Sequence, residues 1–184
     1  MKSRIIIINS PAGVGKTTVS RILATYGNNS ACIHGDDFPR YIVTRDLDKV
    51  ATGLGYKNGA TVTNNFINGG YDLVIYDYIF EDQTHIPKFI RNITVDSDLH
   101  FFTLWTSKET VIDREAKRLG RDRLRMRVRD CYHIMEKSLE NLGFIIDTTN
   151  KYPEEIAETI WAYVIEETGK VANLFLQRTR FPRR

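Results

Sequence analysis

A glycine-rich loop at residues 10–17 contains the residue types that bind a phosphate chain. Gly13 and Gly15 allow a backbone turn whose successive N–H groups point at an anion, and Lys16 adds a positive charge at the same place. The Thr17 hydroxyl that follows is a magnesium ligand in loops of this kind. The pattern therefore predicts binding of a nucleotide polyphosphate with Mg²⁺, and the predicted nucleotide contacts are Ala12, Gly13, Val14, Gly15, Lys16, Thr17 and Thr18.

The loop departs from the pattern G-x-x-x-x-G-K-[ST] at its first position, where this chain has Ser10. Serine is small, and the first glycine serves the turn more than it contacts phosphate. A chance match without catalysis is the alternative. The apolar strand before the loop and the helical pattern after it favour a phosphate-binding loop.

Three carboxylates are expected at the same edge of the protein as the loop. Asp36 and Asp37 follow the second predicted strand and Asp77 lies near the end of the third, and the carboxyl ends of parallel strands share one edge of a sheet. An acceptor hydroxyl needs a carboxylate to orient it and take its proton. We therefore assign Asp36, Asp37 and Arg40 to the acceptor, and Asp77 with Thr17 to the metal. Capping of the next helix is the alternative for the first two acids.

A second cluster of charge lies at residues 114–129, with eight basic and two acidic residues. Arg114 and Arg118 are four positions apart and share one helix face, and a glycine-broken, arginine-rich turn follows. Arginines on a mobile segment can close over a triphosphate and neutralise its charge. A solvated helix face is the alternative, but the cations would repel one another without an anionic ligand. The cluster therefore predicts a lid, with Arg114 at the nucleotide.

The elements that position these residues alternate along the chain. Apolar runs predict strands, and apolar residues at a spacing of three and four predict helices between them. The alternation predicts an α/β fold with three layers and a five-stranded parallel sheet. Strands are predicted at residues 5–8, 31–34, 71–78, 98–105 and 143–150, the last with its exit loop. Helices are predicted at residues 17–26, 40–51, 58–68, 85–93 and 128–142. Two more are predicted, one that begins at the capping pattern at residues 106–109 and one that begins at residue 153.

Size and composition are those of one globular domain. The chain has 184 residues, of which 42% are hydrophobic and 27% charged, with a formal net charge of +3. It contains no apolar run long enough to cross a bilayer. The N-terminus runs into the first strand without a secretory cleavage site, so we expect a cytoplasmic protein. Cys32 and Cys131 are too few and too far apart for a disulfide framework or a metal knuckle, and we expect both to be reduced.

Within this single predicted domain, 1–184, three segments have their own expected roles. Residues 39–70 form a helical insertion on the acceptor side, and residues 114–129 form the lid. Residues 169–184 form a basic tail, for which solvation or packing in a dimer is favoured over a nucleic-acid arm because no aromatic-rich binding face accompanies it. We expect a monomer or homodimer that does not bind membranes.

These motifs together resemble the P-loop kinases of the nucleoside-monophosphate-kinase-like fold. The chain looks most like the small-molecule kinases, namely gluconate kinase, shikimate kinase and chloramphenicol phosphotransferase. The resemblance implies ATP and Mg²⁺ as cofactors and phosphoryl transfer to a small-molecule hydroxyl. It also implies that Asp36 is the acceptor-orienting base and that Arg118 and Arg121 are catalytic lid arginines. Phe38-Pro39 replaces the His-Pro of gluconate kinases, and the D-x-D pattern of shikimate kinases is absent, so no acceptor is assigned.

Two other functions remain open from the sequence. The run at residues 36–40 is similar to the acid-acid-aromatic-x-basic pattern of 5′-hydroxyl polynucleotide kinases, which would make a nucleic-acid end the acceptor. The third hypothesis is a nucleotide-binding regulatory protein without an acceptor. Guanine-specific switches carry N-K-x-D, whereas here Asn150-Lys151 is followed by Tyr152-Pro153.

Overall fold

The computed structural model describes residues 2–43, 53–117 and 126–171, and at residues 126 and 127 it describes the backbone alone. Its strands are β1 Ser3–Asn9, β2 Ser30–His34, β3 Leu73–Tyr78, β4 Ser97–Trp105 and β5 Phe144–Asp147. Its α-helices are α1 Lys16–Ala24, α2 Leu54–Asn68, α3 Ile86–Ile90, α4 Lys108–Ala116, α5 Met126–Ser138 and α6 Pro153–Ile165. Short 3₁₀ helices span Gly35–Tyr41 and Leu139–Asn141.

All five strands are parallel and lie in the order β2-β3-β1-β4-β5. This confirms the predicted α/β class with a five-stranded parallel sheet. The order sets three strand ends side by side, because β3 lies between β2 and β1. In the register, Asp77 of β3 pairs with His34 on one side and with Ile8 on the other. The loop after β1 and the turn after β2 therefore flank the end of β3.

The core lies on both faces of the sheet, which explains the four consecutive isoleucines of β1. Ile6 and Ile8 pack with side chains of α1 and α6, whereas Ile5 and Ile7 pack on the opposite face with side chains of α2 and α3. All four isoleucines have no exposed surface. A strand buried on both faces must be apolar throughout, and each such side chain contributes about 1.5–3 kcal/mol.

The segment after β2 begins with the 3₁₀ helix Gly35–Tyr41, and Ile42 is extended. Of the helix predicted at residues 40–51, residues 44–51 lie outside the described residues. Pro39 lies inside this short helix and lacks the N–H that a longer α-helix would use. In this short helix neither Asp36 nor Asp37 is the N-cap, because both lie in its first turn after His34.

Other segments differ in their bounds. Helix α2 begins at Leu54, four residues earlier than predicted, after Gly53 in the left-handed conformation (φ 80°). Residues 118–125 of the predicted lid, with Arg118 and Arg121, lie outside the described residues, as do residues 44–52 and the tail from 172 onward. No helix in the described part of the chain is long and apolar enough to span a membrane.

Candidate functional site

The loop between β1 and α1 has the backbone conformation that its glycines predict. Gly13 and Gly15 have φ values of 92° and 114°, in the left-handed region that favours glycine. A Cβ on Gly13 would also lie 3.3 Å from both Cγ1 and the carbonyl oxygen of Val111. The carbonyl of Gly15 accepts the N–H groups of Thr18 and Val19, which starts α1 directly after the loop. The unpaired N–H groups of the first helical turn thus adjoin the loop, as an anion site requires.

The first residue of α1 meets the turn that follows β2. Lys16 is only 7% exposed, and its Nζ lies 3.2 Å from Oδ2 of Asp36, whose side chain is 48% exposed. A buried ammonium needs an anionic partner, and here the acid provides it from the solvent-facing side. The structure therefore brings together the lysine assigned to phosphate and the acid assigned to the acceptor.

Asp77 lies beneath this pair and has no exposed surface. Its Oδ2 lies 2.5 Å from Nδ1 of His34, whereas its Oδ1 is buried without a hydrogen-bond partner. Arg21 Nε–H donates to Nε2 of the same imidazole at 3.3 Å, so Nδ1 carries the proton that Asp77 accepts. Burial raises the pKa of Asp77, and the nearby His34 and Lys16 act in the opposite direction.

The oxygen atoms assigned to the metal fit Mg²⁺ in their chemistry. Magnesium binds one or two protein oxygens together with substrate phosphates. The partnerless Oδ1 of Asp77 is a buried acceptor that a hard cation would satisfy. The half-buried Thr17, next to Lys16 at the start of α1, supplies a hydroxyl directly after the phosphate loop. Thr17 and Asp77 are therefore the residues that would hold the ion.

Arg114 joins the loop to the exit of β5. Its Nη1 donates to the carbonyl of Val14 at 3.0 Å, and its Nη2 to the carbonyl of Thr148 at 3.4 Å. The guanidinium has five N–H groups, so it retains donors for a further acceptor. The structure thus places the arginine assigned to the nucleotide against the phosphate loop and the exit of β5.

The other residues predicted to contact substrate or nucleotide differ in their exposure to solvent. Asp37 and Arg40 form an exposed ion pair of 2.6 Å on the turn that holds Asp36. Such a surface pair is worth about 0–1 kcal/mol, so either side chain can exchange its partner for a ligand. In the loop and first turn, Ala12 and Val14 are buried and Thr18 is exposed.

An aromatic wall that the sequence analysis missed lies beside Asp36. The ring of Tyr78 packs on Gly35, where an added Cβ would lie 2.4 Å from Cδ2 of the ring. Tyr56 meets Tyr78 edge-on with 5.1 Å between ring centroids, and it stacks on His85 at 5.4 Å. These residues are far apart in sequence and follow no periodic pattern. The only available signal was the tyrosine that follows Asp77.

A pocket of about 460 Å³ lies between the start of α2 and the helix α3. Lys57 and Thr84, which line it, are the chain neighbours of Tyr56 and His85. Three cationic side chains make it suited to an anionic group. The polar and charged residues that line the pocket are Lys57, Thr84, Lys88, Arg91 and Asn92.

No protein-family model and no curated protein matches the chain. Solved structures do match it. The Deinococcus radiodurans tunicamycin resistance protein has a TM-score of 0.66 and 18% identity, over 88% of this chain and 96% of that one. Shikimate kinase from Acinetobacter baumannii has a TM-score of 0.58 and 19% identity, over 91% and 95%. A chain of the Pnkp1/Rnl/Hen1 RNA repair complex has a TM-score of 0.58 and 15% identity, over 78% and 47%. The chain therefore has the P-loop kinase fold.

Proposed function

We propose that this protein is an ATP- and Mg²⁺-dependent kinase that transfers the γ-phosphoryl group to a hydroxyl of a small molecule. The acceptor classes that we favour are sugar acids, nucleosides and antibiotic-like alcohols. The observation that carries the proposal is the 3.2 Å distance between Lys16 Nζ and Asp36 Oδ2. A phosphate bound at the lysine and an alcohol bound at the acid would be neighbours, as phosphoryl transfer requires.

The proposed roles follow from position and chemistry. The N–H groups of the loop and Lys16 bind the β- and γ-phosphates, and Arg114 supports the nucleotide side. Asp36, which is half exposed, accepts a hydrogen bond from the acceptor hydroxyl and takes its proton. Magnesium, held by Thr17 and Asp77, would neutralise phosphate charge when bound. Arg118 and Arg121 keep the lid role that the sequence resemblance implies.

The acceptor side supports a small molecule with a ring. The half-buried Tyr78 and Tyr56 present aromatic surface next to the turn that holds Asp36. Aromatic side chains pack against flat or apolar ligand faces and restrict water at the transfer site. The exposed ion pair between Asp37 and Arg40 provides polar contacts on that turn.

A screen for acceptor-stimulated ADP release tests this proposal. The purified protein is incubated with MgATP and, one at a time, with sugars, sugar acids, nucleosides and hydroxylated antibiotics. We expect turnover with one class and its loss in Asp36→Ala. If nucleotide binds tightly but no compound stimulates turnover, and Asp36→Ala changes no measured activity, the protein is a nucleotide-binding regulator and the kinase proposal fails.

The second candidate is a 5′-hydroxyl polynucleotide kinase, which the cationic pocket supports. Lys57, Lys88 and Arg91 could bind backbone phosphates of a strand whose 5′ end lies at Asp36. Transfer of labelled phosphate to 5′-hydroxyl oligonucleotides would decide for it, provided that affinity falls steeply with salt. If a free nucleoside competes with the oligonucleotide equally well at all salt concentrations, the result would decide for the small-molecule kinase.

A further inference from the structure

A cluster of ligating atoms on the α1 side of the sheet includes Asp77, the carboxylate that is also assigned to magnesium. Cys32 and His34 are two residues apart on β2 and so share a face, and His34 lies opposite Asp77 on β3. The thiol sulfur, an imidazole nitrogen and a carboxylate oxygen all lie within 4.8 Å of one another. Within the described ranges this is the only such group of three.

We propose that Cys32, His34 and Asp77 form a binding site for a zinc-class divalent cation, with solvent as the fourth ligand. Sulfur, imidazole nitrogen and carboxylate oxygen are the donors that zinc prefers, and an open fourth position is common in its three-ligand sites. The buried Oδ1 of Asp77 lacks a hydrogen-bond partner, so this carboxylate has an acceptor oxygen that a cation would satisfy. His34 retains 18% side-chain exposure, which leaves a route from solvent.

Binding must replace the protons that now occupy the cluster. The Cys32 thiol, whose pKa burial raises to about 12, gives its proton to solvent as the metal–sulfur bond forms. The imidazole proton moves from Nδ1 to Nε2, which frees the Nδ1 lone pair for the ion. Arg21 now donates to Nε2 and would turn away, which its exposed position on α1 permits.

Occupation of this site would regulate the proposed reaction, a consequence that rests on the proposed function. Asp77 is the carboxylate assigned to Mg²⁺, and a bound zinc-class ion would hold it toward β2. We therefore expect the ion to inhibit phosphoryl transfer by competing with Mg²⁺ for Asp77. A chelator would restore activity, and Cys32→Ser would make the enzyme less sensitive.

The binding experiment uses Co²⁺ as a spectroscopic probe on the full chain without nucleotide. We expect a thiolate-to-cobalt charge-transfer band that Zn²⁺ abolishes by displacing the cobalt. Cys32→Ser should lose the band, and His34→Gln should weaken Zn²⁺ binding by more than about 100-fold. The matched control is Cys131→Ala, because that buried thiol packs on Met135 Sδ at 3.8 Å, outside the cluster, and this variant should keep the band.

A further variant tests the cationic neighbour. Arg21→Gln removes a positive charge beside the site, so Zn²⁺ should bind several-fold more tightly. The inference is wrong if the folded parent shows no thiolate band, or if the band survives Cys32→Ser. A thiolate band without kinase turnover would leave the metal site standing and overturn the proposed function. Kinase turnover without the thiolate band would support the proposed function and overturn the metal site.

Discussion

Lys16 Nζ and Asp36 Oδ2 lie 3.2 Å apart although the strands that precede them, β1 and β2, are not neighbours in the sheet. The contact bridges the end of β3, where Asp77 is buried. A phosphate group entering the loop would replace Asp36 as the partner of the lysine and free the acid for an alcohol. The short contact thus links the two halves of the proposed reaction.

The first prediction concerns the lysine. Lys16→Ala removes the charge that stabilises the transferring phosphoryl group, and we expect the turnover rate to fall at least about 100-fold. The measurement is ADP release at saturating acceptor. Lys137→Ala is the matched control, because this lysine is exposed on α5, and it should retain the parental rate. A parental rate in Lys16→Ala would contradict the assignment of the loop.

Asp36 is tested by an isosteric change. Asp36→Asn keeps the shape of the side chain but removes its capacity to accept a proton, so we expect kcat to fall about 100-fold or more. The KM for nucleotide should change little, because the side chain is half exposed and assigned to the acceptor. Asp72→Asn, an exposed position at the opposite end of β3, is the control. An unchanged kcat would exclude a base at this position.

The packing of Tyr78 on Gly35 gives a stability prediction. In Gly35→Ala the new Cβ would lie 2.4 Å from the ring, so the ring or the turn must move. We expect a loss of about 1–3 kcal/mol in the free energy of unfolding in urea. The loss should shrink when Tyr78→Ala is present, because the smaller side chain leaves room. Strict additivity in this double-mutant cycle would show that the two residues do not interact.

Arg114 should matter for nucleotide affinity. Arg114→Ala removes the two hydrogen bonds by which the guanidinium joins the carbonyls of Val14 and Thr148. It also removes the guanidinium N–H groups that could bind the nucleotide. We expect the dissociation constant for the nucleotide to rise about tenfold, which corresponds to about 1.4 kcal/mol. Titration calorimetry with a non-hydrolysable analogue measures it. Lys108→Ala, exposed on the same helix, should bind like the parent, and equal affinity in both variants would be evidence against this role.

His100 predicts a dependence of stability on pH. Its side chain is buried in β4, with Nδ1 2.9 Å from the carbonyl oxygen of Thr168, and burial lowers its pKa from the ordinary 6.5. As pH falls through about 6.5, the unfolded chain binds the proton first, so stability decreases by up to about 1.4 kcal/mol per pH unit.

Urea unfolding between about pH 7.5 and about pH 5.5 measures this dependence. His100→Gln should reduce the slope of the unfolding free energy against pH, whereas His133→Gln, at an exposed histidine on α5, should keep it. A parental slope in His100→Gln would assign the pH dependence to other groups.

Much of the candidate site could be predicted because its chemistry is local or follows a strand end. The loop at residues 10–17 is one continuous segment, and Asp36 and Asp77 follow or end apolar runs. Of the helix predicted at residues 40–51, residues 44–51 lie outside the described part of the chain, and at residues 40 and 41 the chain ends a 3₁₀ helix that contains Pro39. The roles assigned to Arg114, Asp36 and Asp77 stay predictions until activity is measured.

The spacing of Cys32 and Cys131 argues only against a disulfide framework or a metal knuckle built from the two cysteines. A site can also form across strands, where the register sets its members side by side. The pairing of β2 with β3 places His34 opposite Asp77, and these residues are 43 positions apart. The same holds for Tyr56, Tyr78 and Gly35, which only packing brings together.

The amino-acid sequence alone determined the α/β class, the phosphate loop and the acids at the strand ends. These features depend on hydrophobic periodicity and on glycine conformation, which act over a few residues. Only the tertiary structure decided that Asp36 reaches Lys16, that His34 holds Asp77 and that Tyr78 covers Gly35. Such contacts join segments distant in the chain, so strand order and side-chain packing had to be known before any of them could be identified.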